Sequence, residues 1–212
     1  MLFLLLFVND NDEILYKGVR LMDAEVFLRE KLKLTDEDLI KAIINNSEIL
    51  HFKKGEAISV QGKPAPHLDI LMNDGLVIGY YKEEETGKQV MECFGTNAGQ
   101  CISDSFDSQE AWEHVSFLTI KAMEDISVLR FLRKKAAELA EMYKEGQTLA
   151  YHLLYESGRY HLSFQRLLVT YKGEELVQQF EKEYPEVAAK LDAPEIASLL
   201  NVSERTVYRS RK

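Results

Sequence analysis

The reading of this chain turns on its last twenty residues, Ala193-Pro194-Glu195-Ile196-Ala197-Ser198-Leu199-Leu200-Asn201-Val202-Ser203-Glu204-Arg205-Thr206-Val207-Tyr208-Arg209-Ser210-Arg211-Lys212. Two short helices around a tight turn fit this stretch residue by residue. Pro194 suits a first helical turn, where its missing N–H costs nothing. Ile196, Leu199 and Leu200 give the first helix an apolar face, and Ala197 is small enough to let a second helix approach. Asn201 falls where the turn requires left-handed backbone, a conformation Asn tolerates better than any residue but Gly. Val202 plugs the turn, Ser203 is placed to cap the second helix, and Val207 anchors that helix to the first. With Val207 inward, Glu204, Arg205, Tyr208, Arg209 and Lys212 face outward or toward the helix ends. Together with Ser203 and Thr206 they are the candidate contacts to double-stranded DNA, since Arg and Lys at such positions suit guanine edges and phosphates. The plainer alternative is a helical hairpin that packs on its neighbour.

Charge separates the two readings. Between Asn201 and Lys212 stand four basic residues and one acidic one, whereas the whole chain carries 35 Asp and Glu against 26 Lys and Arg, a net charge of −9. Such a molecule does not adhere to nucleic acid by bulk charge, so any DNA contact must come from a local basic surface.

Outward from this motif, residues 134–183 read as helical. Ala136–Tyr143 is one stretch, and Glu174–Glu183 is another. Between them a long helix is expected to pair with a second copy through Leu149, Leu153, Tyr160, Phe164 and Leu167, at spacings of three, four and seven, the plainer alternative being ordinary packing against the roll. Residues 49–132 change period. Short, partly alternating runs at 49–52, 57–60, 68–71, 76–81, 89–94, 117–120 and 126–129 are separated by turn signals such as Lys54-Gly55, Gln61-Gly62-Lys63-Pro64 and Asn73-Asp74-Gly75. Glu83-Glu84-Glu85-Thr86-Gly87-Lys88 reads as a hairpin tip in which Gly87 supplies a positive φ. Residues 22–47 are helical again, with Thr35 as an N-cap and acids in the turn after it. The expected fold is α+β. An N-terminal antiparallel β-roll (a double-stranded β-helix or jelly roll) with flanking helices spans 1–145, a long dimerisation helix spans 146–171, and an all-α helix-turn-helix domain spans 172–212.

A β-roll, then a long helix, then a helix-turn-helix resembles the Crp/Fnr family of bacterial transcription regulators over about residues 25–212. Gly55, Gly62-Lys63, Asn73-Asp74-Gly75 and Gly99 look like the family's turn glycines and their neighbours. The run Ser203-Glu204-Arg205-Thr206-Val207-Tyr208-Arg209 resembles its recognition helix, typically Ser-Arg-Glu-Thr-Val-Gly-Arg, with Arg209 at a DNA-contacting position and the charges of Glu204 and Arg205 exchanged. Tyr184-Pro185-Glu186 looks like a subgroup in which that stretch precedes the DNA reader. The resemblance implies a homodimer that reads a palindromic site, with a roll that is a candidate for a small-molecule effector. The cyclic-nucleotide members bind phosphate with a Gly-Glu-Leu turn and an Arg-Ser-Ala segment. The aligned residues here are Ser103-Asp104-Ser105 and Ser116-Phe117-Leu118. Asp104, Ser105, Ser116 and Phe117 therefore mark a candidate effector pocket without the arginine that a buried phosphate needs, and no response to cyclic AMP is expected. The β-hairpin wing that usually follows the recognition helix is expected to be missing, as is an Fnr-type iron–sulfur site.

No catalytic residues, cofactor or metal site are expected. The five histidines form no H-x-H pair with a carboxylate, as a metalloenzyme on a β-barrel would want. Cys93 and Cys101, the chain's two cysteines, are read as small buried hydrophobes in a reducing, cytoplasmic setting. Trp112 either covers the pocket or belongs to the core. The apolar start, Met1–Val8, is too short to span a bilayer and lacks a basic flank, so it reads as a strand or short helix packed on the protein. A second function remains open, in which the roll is a ligand-binding sensory module and the C-terminal helices serve assembly alone.

Overall fold

The computed structural model describes residues 23–103 and 114–212, preceded by three short antiparallel strands, β1 (Val8–Asn9), β2 (Glu13–Tyr16) and β3 (Val19–Arg20). Most of Met1–Val8, and all of Asp104, Ser105 and Trp112, lie outside the described residues.

Helices α1 (Ala24–Glu30) and α2 (Glu37–Asn45) follow. The cap of α2 is Asp36, not Thr35: its carboxylate accepts from the N–H groups of Asp38 and Leu39, each at 3.0 Å. A carboxylate is a stronger acceptor than a hydroxyl. Thr35 is engaged elsewhere, its N–H and hydroxyl each donating at 3.0 Å to the Glu145 carboxylate from the long helix.

Among the described residues seven strands build the roll: β4 (Ser47–Phe52), β5 (Ala57–Ser59), β6 (His67–Leu71), β7 (Val77–Lys82), β8 (Gln89–Gly95), β9 (Thr119–Ala122) and β10 (Ile126–Leu132). They form two antiparallel sheets, β4-β10-β6 and β5-β9-β7-β8. Alternation sorts each strand between two environments. On β10, Ile126 and Val128 point into the roll, where they meet Leu71, Val77, Leu118 and Ile120; Leu129 and Phe131 point outward to Phe27, Leu28, Leu39 and Ile40 of α1 and α2. On β7, Val77 is inside and Ile78 outside. Gly87 has φ 67°, as its place in the hairpin tip requires.

The helices after the roll are α3 (Arg133–Met142), α4 (Lys144–Thr170), α5 (Gly173–Glu183), α6 (Pro185–Ala188), α7 (Ala193–Leu199) and α8 (Glu204–Ser210). The residues expected to form the seam with a second copy do not face away from the subunit. Leu149 and Leu153 pack on the core of α1, α2 and the outer face of β10, while Tyr160, Phe164 and Leu167 pack on Ile78, Met91, Phe94 and α5. Phe94 alone makes edge contacts with Tyr160, Phe164, Phe180 and Tyr184 at centroid distances of 5.2–6.2 Å. The roll needs a cover for the outer face of β7 and β8, and this stripe of α4 supplies it.

The opposite stripe is left bare. Tyr151, Tyr155, Leu162 and Val169 are 65%, 66%, 73% and 70% exposed. With Gly158 and Gln165 they recur at steps of four, three, four, three and four, a heptad pattern. A Cβ on Gly158 would meet nothing within 4 Å, so the stripe is smooth at its centre.

Candidate nucleic-acid interface

The C-terminal unit is built on α5, whose Leu176, Val177 and Phe180 are buried against α7 and α8. Asp192 and Glu195 start α7 with a reciprocal cap: the Asp192 carboxylate accepts from Glu195 N–H at 2.8 Å, and the Glu195 carboxylate accepts from Asp192 N–H at 2.9 Å. Pro194 sits in the first turn. Asn201 has φ 51°, the left-handed conformation that its position demanded, and Val202 N–H closes the turn onto the Ala197 carbonyl at 3.0 Å. Ser203 caps α8, accepting from Thr206 N–H at 3.1 Å. Val207 is fully buried against Ile196 and Ala197, worth about 2 kcal/mol in apolar burial. The bihelical unit is the helix-turn-helix expected from sequence.

The face of α8 that remains carries Glu204, Arg205, Tyr208, Arg209 and Lys212, all exposed. Ser203 and Thr206 stand at its start with their hydroxyls 2.8 Å apart, so both are already engaged in the cap. Two acids invisible to the local reading border this face. Arg209 is 2.7 Å from Glu174 of α5, and Arg211 is 2.7 Å from Glu181. They stand about thirty residues upstream, so no short motif could have paired them. Arg205 and Lys212 have no carboxylate partner among the described residues. The Arg211 pair, together with the Gln178 amide near the Ser210 carbonyl (3.5 Å), fixes the end of α8 on α5.

The unit also touches the roll. Strand β8 lies at a sheet edge, where backbone groups lack a neighbouring strand. Ser198 of α7 fills that role: its hydroxyl accepts from Met91 N–H at 2.9 Å and lies 3.5 Å from the Gln89 carbonyl. Lys190 adds an ion pair with Glu124 at 2.7 Å, and this pair, with the Leu76 N–H, holds the Glu124 carboxyl below its usual range. The α8 face stays exposed beside this contact, with Glu204 bordering the cleft that Ser198 and Met91 also line.

The candidate effector residues fare differently. Ser116 is buried, and its hydroxyl donates to the Leu118 carbonyl at 2.7 Å. Phe117 is 68% exposed, edge-on to His114 at 5.5 Å. The two are therefore not brought together on one wall. Inside the roll the Arg130 guanidinium is held by Asp69 through two contacts, at 2.6 and 2.8 Å. Among the described residues no group of three His, Cys, Asp or Glu could hold a metal ion, and no helix is long and apolar enough to cross a membrane.

No family model matches the sequence, and no curated protein matches it. Solved structures do match the fold. FixK2 from Bradyrhizobium japonicum superposes with a TM-score of 0.61 at 18% identity, covering 78% of this chain and 82% of that one. The c-di-GMP-responsive global regulator CLP of Xanthomonas campestris gives 0.63 at 10% identity, over 82% and 89% of the two chains. A protein from Eubacterium rectale, described as a transcriptional regulator of the Crp/Fnr family, gives 0.62 at 14% identity, over 87% and 85%. The chain has the Crp/Fnr fold. Within that fold, α4 stands between the roll and the helix-turn-helix, and α8 leaves one face exposed.

Proposed function

We propose that this chain is a cytoplasmic DNA-binding transcription regulator, a homodimer that reads a palindromic site with α8 and does not respond to cyclic AMP. The observation that carries the reading is the exposed face Arg205, Tyr208, Arg209 and Lys212, set on a helix whose turn, cap and anchor all have helix-turn-helix geometry. Arg and Lys on such a face serve base edges and phosphates, in a molecule whose remaining charge repels DNA. The bare heptad stripe of α4 supports the dimer: four large apolar side chains in one line on one helix are otherwise a solubility cost. Two copies of α8 about 34 Å apart would meet successive turns of one duplex groove. The roll interior supports the lack of a cyclic AMP response. The arginine expected of a phosphate site is replaced by Ser116, whose hydroxyl is already bonded, and the interior Arg130 is committed to Asp69.

Fluorescence anisotropy with a palindromic duplex pool at two salt concentrations tests this function. Binding is expected to weaken steeply with salt, and Arg209→Ala to cost about ten- to a hundredfold in affinity. Binding that ignores both would leave the C-terminal helices as an assembly device. The ion pair with Glu174 yields a companion result of opposite sign. Glu174→Gln removes a negative charge beside the interface and releases Arg209, so affinity is expected to rise roughly two- to fivefold at low salt and less at high salt.

A further inference from the structure

Helices α3 and α4 meet in a V. At its vertex is Gly146, where an added Cβ would lie 2.7 Å from the Leu139 carbonyl oxygen, so the two backbones touch. Beyond the vertex they part. The stripe that α3 turns into the V is Arg133, Ala136, Ala137 and Ala140, positions that share one helical face. Across from it on α4 are Leu149, Ala150 and Leu153. Three alanines opposite this wall leave space that larger side chains would have filled. The space is a cavity of about 300 Å³, floored by Ile70 and Phe131 from the outer face of the roll and closed on one side by Ile43 of α2. By share of liquid volume this is on the order of ten waters. The cavity is a cleft open at its mouth, and its wall is mostly apolar, so an ordered water finds few of the two to four polar partners it needs there.

The polar groups at the wall set the charge of a good occupant. Arg133 is held to the roll, its backbone N–H donating to the Pro66 carbonyl at 2.8 Å and its Nε to the Ala65 carbonyl at 3.0 Å. The Cys101 thiol is neutral, because burial pushes it up to about 11. Arg133 keeps its positive charge and Glu141, exposed at the mouth, brings a negative one, so the lining carries no net charge.

We propose that the cavity between α3 and α4 is a binding site for an uncharged, apolar small molecule of about a dozen heavy atoms. The site lies outside the roll, on the α1–α2 side of its β4-β10-β6 sheet, and one of its walls is α4. An occupant that widens the V therefore also tilts the exposed stripe on the other side of that helix. This consequence rests on the proposed dimer; the binding itself does not.

The test is a fluorescence titration of the full chain with N-phenyl-1-naphthylamine, followed by displacement with 1-octanol and with octanoate. Saturable binding of one probe per chain is expected, with octanol displacing it at least tenfold better than octanoate. Ala137→Leu and Ala150→Leu, which fill the cavity, are expected to weaken the probe at least tenfold while keeping the circular dichroism of the parent. In the unmodified protein, nuclear Overhauser contacts from the probe to the Ile43 and Ile70 methyls give a readout that does not depend on how the variants fold. Absence of saturable binding, probe contacts elsewhere, or undiminished binding in both folded variants overturns the site. Equal displacement by octanoate overturns the uncharged assignment. No DNA is present in these measurements, so a failure here is distinguishable from a failure of the DNA-binding reading.

Discussion

If the proposed dimer forms through the exposed stripe of α4, replacing Leu162 by glutamate is expected to yield monomers and to lower affinity for a palindromic duplex by about two orders of magnitude or more. Leu162 is 73% exposed and packs on nothing that its own subunit needs, so the fold should survive with a stability change within about 0.5 kcal/mol. The effect comes from the stripe. Tyr151, Tyr155, Gly158, Leu162, Gln165 and Val169 follow heptad steps, and in a parallel pair each seam residue lies beside its own copy. A glutamate there places two like charges in a desolvated seam, on either side of a glycine that allows close approach. One monomer retains one α8 and loses the effective concentration that the second copy confers. Sedimentation should show half the parent mass. Anisotropy should show the loss on a full palindrome and little change on an isolated half-site. A dimer that persists with full affinity would place the contact between copies on another face. The reciprocal control is Phe164→Glu, which charges the buried stripe turned toward the subunit's own core and should unfold the chain rather than dissociate it.

That contrast marks what the sequence could and could not reveal about α4. Both stripes are apolar, and both satisfy a heptad-like spacing: Leu149, Leu153, Tyr160, Phe164 and Leu167 on one side, Tyr151, Tyr155, Leu162 and Val169 on the other. Periodicity identifies a helix with two faces to bury, but cannot say which one its own subunit takes. The roll decides this, because Ile78, Met91 and Phe94 need a large aromatic cover, and Phe164 and Tyr160 fit them. The strands were legible because alternation is a local signal and each run ends in a turn residue. The helix-turn-helix was legible for the same reason, since Pro194, Asn201 and Ser203 each act within four residues of themselves and Val207 packs on Ile196 and Ala197 only about ten residues away. The cap of α2 was misjudged by one residue, because Thr35 is a good cap locally and only the distant Glu145 takes it away. Glu174 and Glu181 were invisible for an equivalent reason: their bonds to Arg209 and Arg211 exist only once α5 and α8 are folded together. The basic excess counted along residues 201–212 is therefore smaller in space than in sequence, and Arg205 and Lys212 carry more of it than Arg211 does.

A large loss of stability without unfolding is expected from Asp69→Asn. Asp69 and Arg130 are directly opposite one another on β6 and β10, both on the inner face of the roll. The guanidinium meets the carboxylate through Nε at 2.6 Å and Nη2 at 2.8 Å. It also reaches the Ile58 carbonyl at 3.2 Å and lies 5.7 Å from the centre of the Phe52 ring. The side chains are only 16% and 7% exposed. The Asp69 bond is the leading cause that pushes the Arg130 pKa upward, so Arg130 stays charged and cannot shed its proton to escape burial. Asparagine preserves the shape and removes the counter-charge, which leaves a buried cation half-satisfied at a cost of about 3 kcal/mol. Urea unfolding should show a lower midpoint with an unchanged slope, the signature of lost stability rather than altered compactness. The double variant Asp69→Leu with Arg130→Met should recover most of the loss, because replacing a buried pair by apolar groups of similar size is often close to neutral. A single-variant loss under about 0.5 kcal/mol would mean that solvent reaches the pair. The same geometry bears on what the roll can bind. Among the described residues, the Arg130 cation inside it is already neutralised at hydrogen-bond distance, so an anionic phosphate that calls on it must displace Asp69 and leave that carboxylate buried without its counter-charge. An occupant that avoids this cost is uncharged, or binds outside the roll, and the cavity between α3 and α4 meets both conditions.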